Sequence, residues 1–322
     1  MYEVILALDW SKSNMAIARL DKDRDTPRVF ERPTDIAYLK KYISNIKESK
    51  SVTIEETSSA HYLYSELIEL VDEVIVVDPY RNRLLLDGPK NDKRDAANLA
   101  MLTRSKNLMK LVHHEISENY EIRKLISAYE DLIKASVRAK NQLAAYELNN
   151  TKRMPTDSFV ISQIKQTIIC IENSRKEYEK KFAELAKNHK DIKRIAKIDG
   201  IGIKSAVKIV GVILDAKRFS NYRKFLAYCG LVKYRKVSGD RDYGARITRY
   251  SRTLKTVFKM AALTAITNDT PFKEYYENLI SKGVFSHNAR NCVARLIAKT
   301  VLAVIKNGVK YDGKIIKQKI GN

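Results

Sequence analysis

Asp9, the adjacent Glu55 and Glu56, and the pair Asp92 and Asp95 in Lys90-Asn-Asp-Lys-Arg-Asp-Ala-Ala are the residues of this chain best suited to chemistry. Carboxylate oxygens are hard ligands, so a group of them can hold Mg²⁺ or Mn²⁺. Two such ions stabilise both the attacking and the leaving oxygen when a phosphodiester is cut. Asp92 and Asp95 stand three apart at the start of a helix predicted to run through Leu102, which places both on one face. Taken singly, each acid reads equally well as a turn former or a helix cap. Their joint placement at strand ends and a helix start is what points to a metal site.

The elements that must position them follow from periodicity. Residues 2–8 read as a buried strand ending at Asp9, with Asn14 to Leu20 as its hairpin partner. Asp35 to Ile46 has helical spacing, and Val52 to Glu55 is a short strand that stops in acids. A helix from Ala60 to Leu70 leads into the β-branched run Val74 to Val77, which Asp78-Pro79 ends. This α/β order is compatible with a ribonuclease-H-like sheet. Between about 115 and 189 the strand signals vanish and glycine is absent. Ile122, Leu125, Ile126, Tyr129, Leu132 and Ile133 give one long helix. After a break near Met154-Pro155, the seam Ile164, Ile168, Ile171, Tyr178, Phe182, Leu185 gives a second, interrupted by Arg175. An antiparallel hairpin or coiled coil is expected, serving as a spacer or dimerisation arm. Further on, Asp199 to Gly202 makes a tight turn between two helices, like a helix-hairpin-helix. Gly200 and Gly202 would let the backbone approach a phosphate. The expected fold is thus α/β plus all-α, in three domains at 1–112, 113–190 and 191–322.

Charge separates these parts. The formal net charge is +22, and residues 190–322 hold 29 Lys and Arg against 9 Asp and Glu, leaving the first 189 residues close to neutral. A polyanion is the implied partner of the C-terminal segment, with Lys204, Arg235, Lys236, Arg241, Arg246 and Arg249 as candidate contacts. Between Lys217 and Lys255 the cations are interleaved with Phe219, Tyr222, Phe225, Tyr228, Tyr234, Tyr243 and Tyr250. Of these, Phe225 and Tyr228 are expected in the core, and Tyr234 and Tyr243 on the surface. Apolar runs such as Val74 to Val77 are far too short for a bilayer, and Glu3 and Asp9 stand where a signal peptide would be basic and then apolar; the expected place is the cytoplasm, by the nucleoid. Cys170, Cys229 and Cys292 lack ligand or disulfide spacing. His113-His114, without partner acids at ligand spacing, reads as a surface pair. Lys310 to Lys319 reads as a solvated basic tail, either a strand or a nucleic-acid arm.

In order along the chain, Asp9, Ile54-Glu-Glu-Thr, Val76-Val-Asp-Pro and Lys90-Asn-Asp-Lys-Arg-Asp-Ala closely resemble the DEDD transposases of bacterial insertion sequences and the related Piv-type DNA invertases. Ile198-Asp-Gly-Ile-Gly-Ile, Ala227-Tyr-Cys-Gly-Leu-Val and Val237-Ser-Gly extend the resemblance over nearly the whole chain. Two positions depart from the family pattern: Asp199 replaces a proline, and Arg249-Tyr-Ser-Arg lacks a glycine. The resemblance implies a RuvC-like metal domain, and its Glu-x-Thr pattern selects Glu55 over Glu56. Asp9, Glu55, Asp92 and Asp95 would hold Mg²⁺ or Mn²⁺. It further implies Ser238 as a nucleophile that becomes joined to DNA, with Arg235, Lys236 and Arg241 neutralising charge. The implied partners are double-stranded DNA at element ends and target, a structured bridge RNA, and further copies of the chain in a tetramer or dimer of dimers. An invertase without RNA, a RuvC-like junction nuclease using water, and a non-catalytic polyanion binder are the alternatives.

Overall fold

The computed structural model describes residues 2–80, 82, 91–105, 109–148, 154–246 and 249–314, with the backbone alone at Pro155, Lys236 and Arg246. Two compact units divide the chain, the first ending at Ile116 and the second beginning at Ser117.

The first unit is built on β1 (Val4–Trp10), β2 (Asn14–Asp21), β3 (Arg28–Pro33), β4 (Lys50–Glu55) and β5 (Glu73–Val77), in the order β3-β2-β1-β4-β5. β1, β2 and β3 pair antiparallel, whereas β1, β4 and β5 run parallel. Strand periodicity sends alternate side chains to opposite faces. Val4, Leu6 and Leu8 of β1, with Val52 and Ile54 of β4, pack beneath α1 (Ile36–Ser44) and α2 (Ala60–Leu67) through Leu39, Ile43, Leu63 and Leu67. Ile5 and Ala7, with Ala16 and Ala18 of β2, meet Ala96, Leu99 and Ala100 of α3 (Asp92–Arg104) on the other face. Small residues on both partners bring α3 close to the sheet. The Thr103 hydroxyl of α3 lies 2.8 Å from the Thr53 hydroxyl of β4, which ties the helix to this face.

Two features of this sheet were not expected from sequence. β3 is a charged edge strand that ends in proline, so it shows no apolar alternation. Beyond β5, Leu111 bridges Val77 antiparallel and the Val112 amide donates to the Val76 carbonyl at 2.8 Å, covering the other edge.

In the second unit, α4 (Glu118–Leu148) and α5 (Pro155–Asn188) pair antiparallel. Tyr129 meets Phe182 with ring centroids 5.1 Å apart, Ser136 and Lys140 both bond Glu172, and Glu147 pairs with Lys165. The base of this pair is built into the unit's helical core: Ile122, Ile126, Tyr129 and Phe182 are buried with α6 (Lys190–Ile195), α7 (Ile203–Ile213), α8 (Tyr222–Tyr228), α9 (Arg252–Thr267), α10 (Pro271–Ser281) and α11 (Ser286–Asn307). Among the described residues the one sheet of this unit is the hairpin of β6 (Tyr234–Ser238) and β7 (Arg241–Arg246). No helix of the described residues is long and apolar enough to cross a membrane.

Candidate carboxylate site and nucleic-acid surfaces

Register and face bring the first-unit acids together. Leu8 pairs with Ile54 in parallel β1 and β4, so Asp9 and Glu55 are the next residues of adjacent strands at the same end. Both continue the alternate positions, Ile5-Ala7 and Ser51-Thr53, that face α3. α3 starts over that end: Asn91 caps it, its side chain accepting from the Lys93 amide at 2.9 Å, and Asp92 and Asp95 occupy the first turn. Acids are favoured there by the helix dipole. Burial first, and then the charges of Asp92 and Asp95, together push the Asp9 carboxyl up from 3.8 to about 6. That repulsion places three of the four acids in one electrostatic neighbourhood.

Glu56 goes the other way. Strand alternation turns it from the α3 face, its amide donates to the Val77 carbonyl at 2.9 Å, and its carboxylate bonds His114 Nε2. The His114 side chain is 2% exposed and stacks near His61 and Tyr64. His114 is therefore a buried partner of Glu56 and not half of a surface pair; His113, partly exposed, lies 3.2 Å from Glu115. The expectation missed this because the two partners are 58 residues apart and no local spacing links them.

In the second unit, residues 196–202 join α6 to α7 and, with Ser205, Met260, Ala261 and Thr264, line a cavity of about 450 Å³. Gly200 has φ +86°, and a Cβ there would sit 2.3 Å from the Ala261 carbonyl oxygen. Its freedom is used against α9. Gly202 opens α7 without a side-chain cap, and a Cβ there would meet nothing within 4 Å. Of the two glycines, only Gly200 has its small size used in packing. Lys204 is engaged with Glu179 at 2.9 Å.

Ser238 is the last residue of β6, paired with Arg241 across a two-residue turn. Gly239 takes φ +57° at its first central position, as a type II′ hairpin requires. The hairpin is solvated: Ser238, Tyr234 and Tyr243 are exposed, Arg235 pairs with Asp242 at 3.0 Å, and the Arg241 guanidinium lies 5.7 Å from the Tyr243 ring centre. Arg249 is exposed. The side chains of Lys236 and Arg246, the motif residue Lys90 and the tail from 315 onward fall outside the described residues. Phe225 is fully buried and Tyr228 packs partly buried on the core.

Residues 6–149 match the family described as DEDD_Tnp_IS110, transposase, and residues 192–277 match the transposase IS116/IS110/IS902 family. The chain belongs to this family of DEDD transposases. The transposase for insertion sequence element IS1111A of Coxiella burnetii is 21% identical over 280 residues, 79% of this chain and 77% of that protein. A probable family 20 transposase of Pseudomonas aeruginosa is 23% identical over 275 residues, 77% and 80% of the two chains. An insertion element IS110 protein of Streptomyces coelicolor is 20% identical over 161 residues, half of this chain and 40% of its own length.

This transposase is an enzyme that acts on DNA, and its family implies a divalent metal. The donor type fits such an ion. Asp9, Glu55, Asp92 and Asp95 offer hard oxygen ligands, the type that suits Mg²⁺ or Mn²⁺ over softer metals, although no three of their carboxylates stand with oxygens within 4.8 Å of one another.

Proposed function

We propose that this transposase cuts and rejoins DNA to excise and integrate an insertion sequence, with Asp9, Glu55, Asp92 and Asp95 as ligands for Mg²⁺ or Mn²⁺ and Ser238 as nucleophile. The observation that carries the metal reading is the common face of Asp9 and Glu55 under the first turn of α3, with Asp92 and Asp95 acting on Asp9. Bound divalent ions would neutralise the charge that develops on phosphorus. The protein's part is to hold four carboxylates at the ends of rigid elements, where the orientation is set before substrate arrives.

The serine reading rests on family pattern, on the exposure of Ser238 and on Arg235 and Arg241 in the same hairpin. Its Oγ would form a bond to phosphorus as the bond to the leaving strand's oxygen breaks. The hydroxyl proton passes to solvent and the departing oxygen takes one up. One phosphodiester replaces another, so rejoining by the reverse attack needs no external energy source.

Double-stranded DNA binds the basic second unit, where Gly202 and the β6–β7 hairpin are exposed. A structured bridge RNA selects the targets, and the α4–α5 pair, as a coiled coil, assembles the chain into a tetramer or dimer of dimers. Incubating wild type, Asp92→Ala and Ser238→Ala with the element's DNA, with and without Mg²⁺ and RNA, tests the reading. A metal-dependent covalent protein–DNA adduct is expected from wild type alone. An adduct from Ser238→Ala removes the nucleophile assignment, and undiminished strand cutting by that variant indicates water in its place.

A further inference from the structure

Several cations of α4, α5 and α7 are paired: Lys140 and Arg175 with Glu172, Lys204 with Glu179, Lys208 with Glu130. A different situation holds where the 3-10 turn Ala216–Arg218 and α8 pack against α11. Among the described residues, Lys217, Arg218, Arg223, Lys224, Arg295 and Lys299 make no ion pair with a carboxylate. The reason lies in the composition of these segments: no Asp or Glu occurs between Asp215 and Asp240, or between Glu277 and Asp312. Folding stacks two acid-free segments on each other, so their like charges repel, with Asp215 adjoining them at the start of the turn. A polyanion is the partner that relieves this.

The face also carries a ring. Tyr222, at the start of α8, is 43% exposed. Lys299 Nζ of α11 lies 4.6 Å from its ring centre and the Arg223 guanidinium 6.0 Å. Arg223 and then Lys299 hold its hydroxyl below the usual tyrosine range, which marks the positive field at this spot. Nearby, the Arg218 guanidinium is fixed against the rings of Phe219 and Tyr228 at 4.6 and 4.7 Å, so part of the charge is held in place by packing. An exposed ring among unpaired cations is the arrangement that binds nucleotides by stacking a base and holding the phosphates beside it. In a duplex each base is already stacked on both sides, so the ring gains most from a base that is unpaired.

We propose that the α8–α11 face binds unpaired nucleotides, with Tyr222 as the stacking ring and Lys299 and Arg223 on the flanking phosphates. Its residues do not include Ser238 or the four acids, and its use does not depend on the metal reading. Single-stranded DNA and looped RNA share the required chemistry.

The test is fluorescence anisotropy of the full-length chain in EDTA, with labelled single strands of DNA and of RNA in one sequence and with the corresponding DNA duplex. Tyr222→Ala is expected to weaken single-strand binding by about 5- to 100-fold and Tyr222→Phe by less than about twofold, with duplex binding held within about twofold. Lys299→Gln is expected to lower the slope of log K against log salt by about 0.7 on single strands. Loss confined to the RNA or to the DNA strand supports the proposal and names the ligand. Equal loss on duplex and single strands, or no loss in either variant, overturns it. Should Tyr222→Ala lower the melting temperature, the Lys299→Gln salt slope decides alone. Because EDTA silences metal-dependent cutting, failure here is distinct from failure of the carboxylate assignment.

Discussion

Asp9→Asn should make the first unit more stable, because the carboxylate it replaces is held where its charge is unwelcome. A rise from 3.8 to about 6, taken at face value, is worth about 3 kcal/mol. Asp9 is only half-buried, so solvent screening leaves about 1 kcal/mol as the expected gain. The folded state prefers the protonated acid, so the penalty is absent below pH 3.8, grows as pH rises between 3.8 and about 6, and is full above that. The chain's single tryptophan, Trp10, lies in β1 beside Asp9 and packs on the first unit's core, so its fluorescence reports this unit in the full-length protein. In EDTA at pH 7.5, Asp9→Asn should melt about 3–5 °C above wild type by that signal, and the gap should close near pH 4. Millimolar Mn²⁺ should raise the wild-type midpoint and leave Asp9→Asn nearly unmoved. A variant that melts below wild type in EDTA at pH 7.5, or one that gains as much from Mn²⁺, refutes the reasoning.

The two glycines of the α6–α7 turn should separate cleanly. Gly200→Ala forces a Cβ against the Ala261 carbonyl at positive φ and should cost about 3 kcal/mol or more, whereas Gly202→Ala, with open space and ordinary φ, should cost no more than about 1 kcal/mol. Denaturant titration by far-ultraviolet circular dichroism reads both, and equal costs would contradict the packing role of Gly200. Glu56→Ala leaves His114 buried without this partner and should cost about 1–3 kcal/mol. Its Mn²⁺ affinity by isothermal titration calorimetry should stay near wild type, while Glu55→Gln should weaken binding with little change in stability. The opposite pattern would reassign the ligand to Glu56.

Much of the first unit was legible because its strands are apolar on both faces and bounded by acids or turn residues. β1, β2, β4 and β5 were expected within a few residues of where they stand. β3 was not, since an edge strand with Arg28, Glu31 and Arg32 has no alternation to read. The long helices were legible from periodicity and from the missing glycines, and Pro155 starts α5 at the expected break. Their attachment was not, because burial of Ile122, Ile126 and Phe182 with α7 is a long-range fact without a local pattern. The same limit hid Glu56 with His114. In the candidate site, strand parity separates Glu55 from Glu56, a choice that the sequence left to family pattern. Gly200 and Gly202 carry the same letter and do different work, which only the position of Ala261 reveals.

Metal-directed cleavage of the polypeptide tests the four-carboxylate claim most directly. Fe²⁺ with ascorbate, in place of Mg²⁺ or Mn²⁺, generates radicals that cut the backbone near the bound ion, and mass spectrometry maps the cuts. Cuts close to residues 9, 55 and 92–95, competed away by Mg²⁺ and lost in Asp92→Asn, are the expected result. Cuts clustered elsewhere, or a pattern that Asp92→Asn leaves unchanged, would contradict the account.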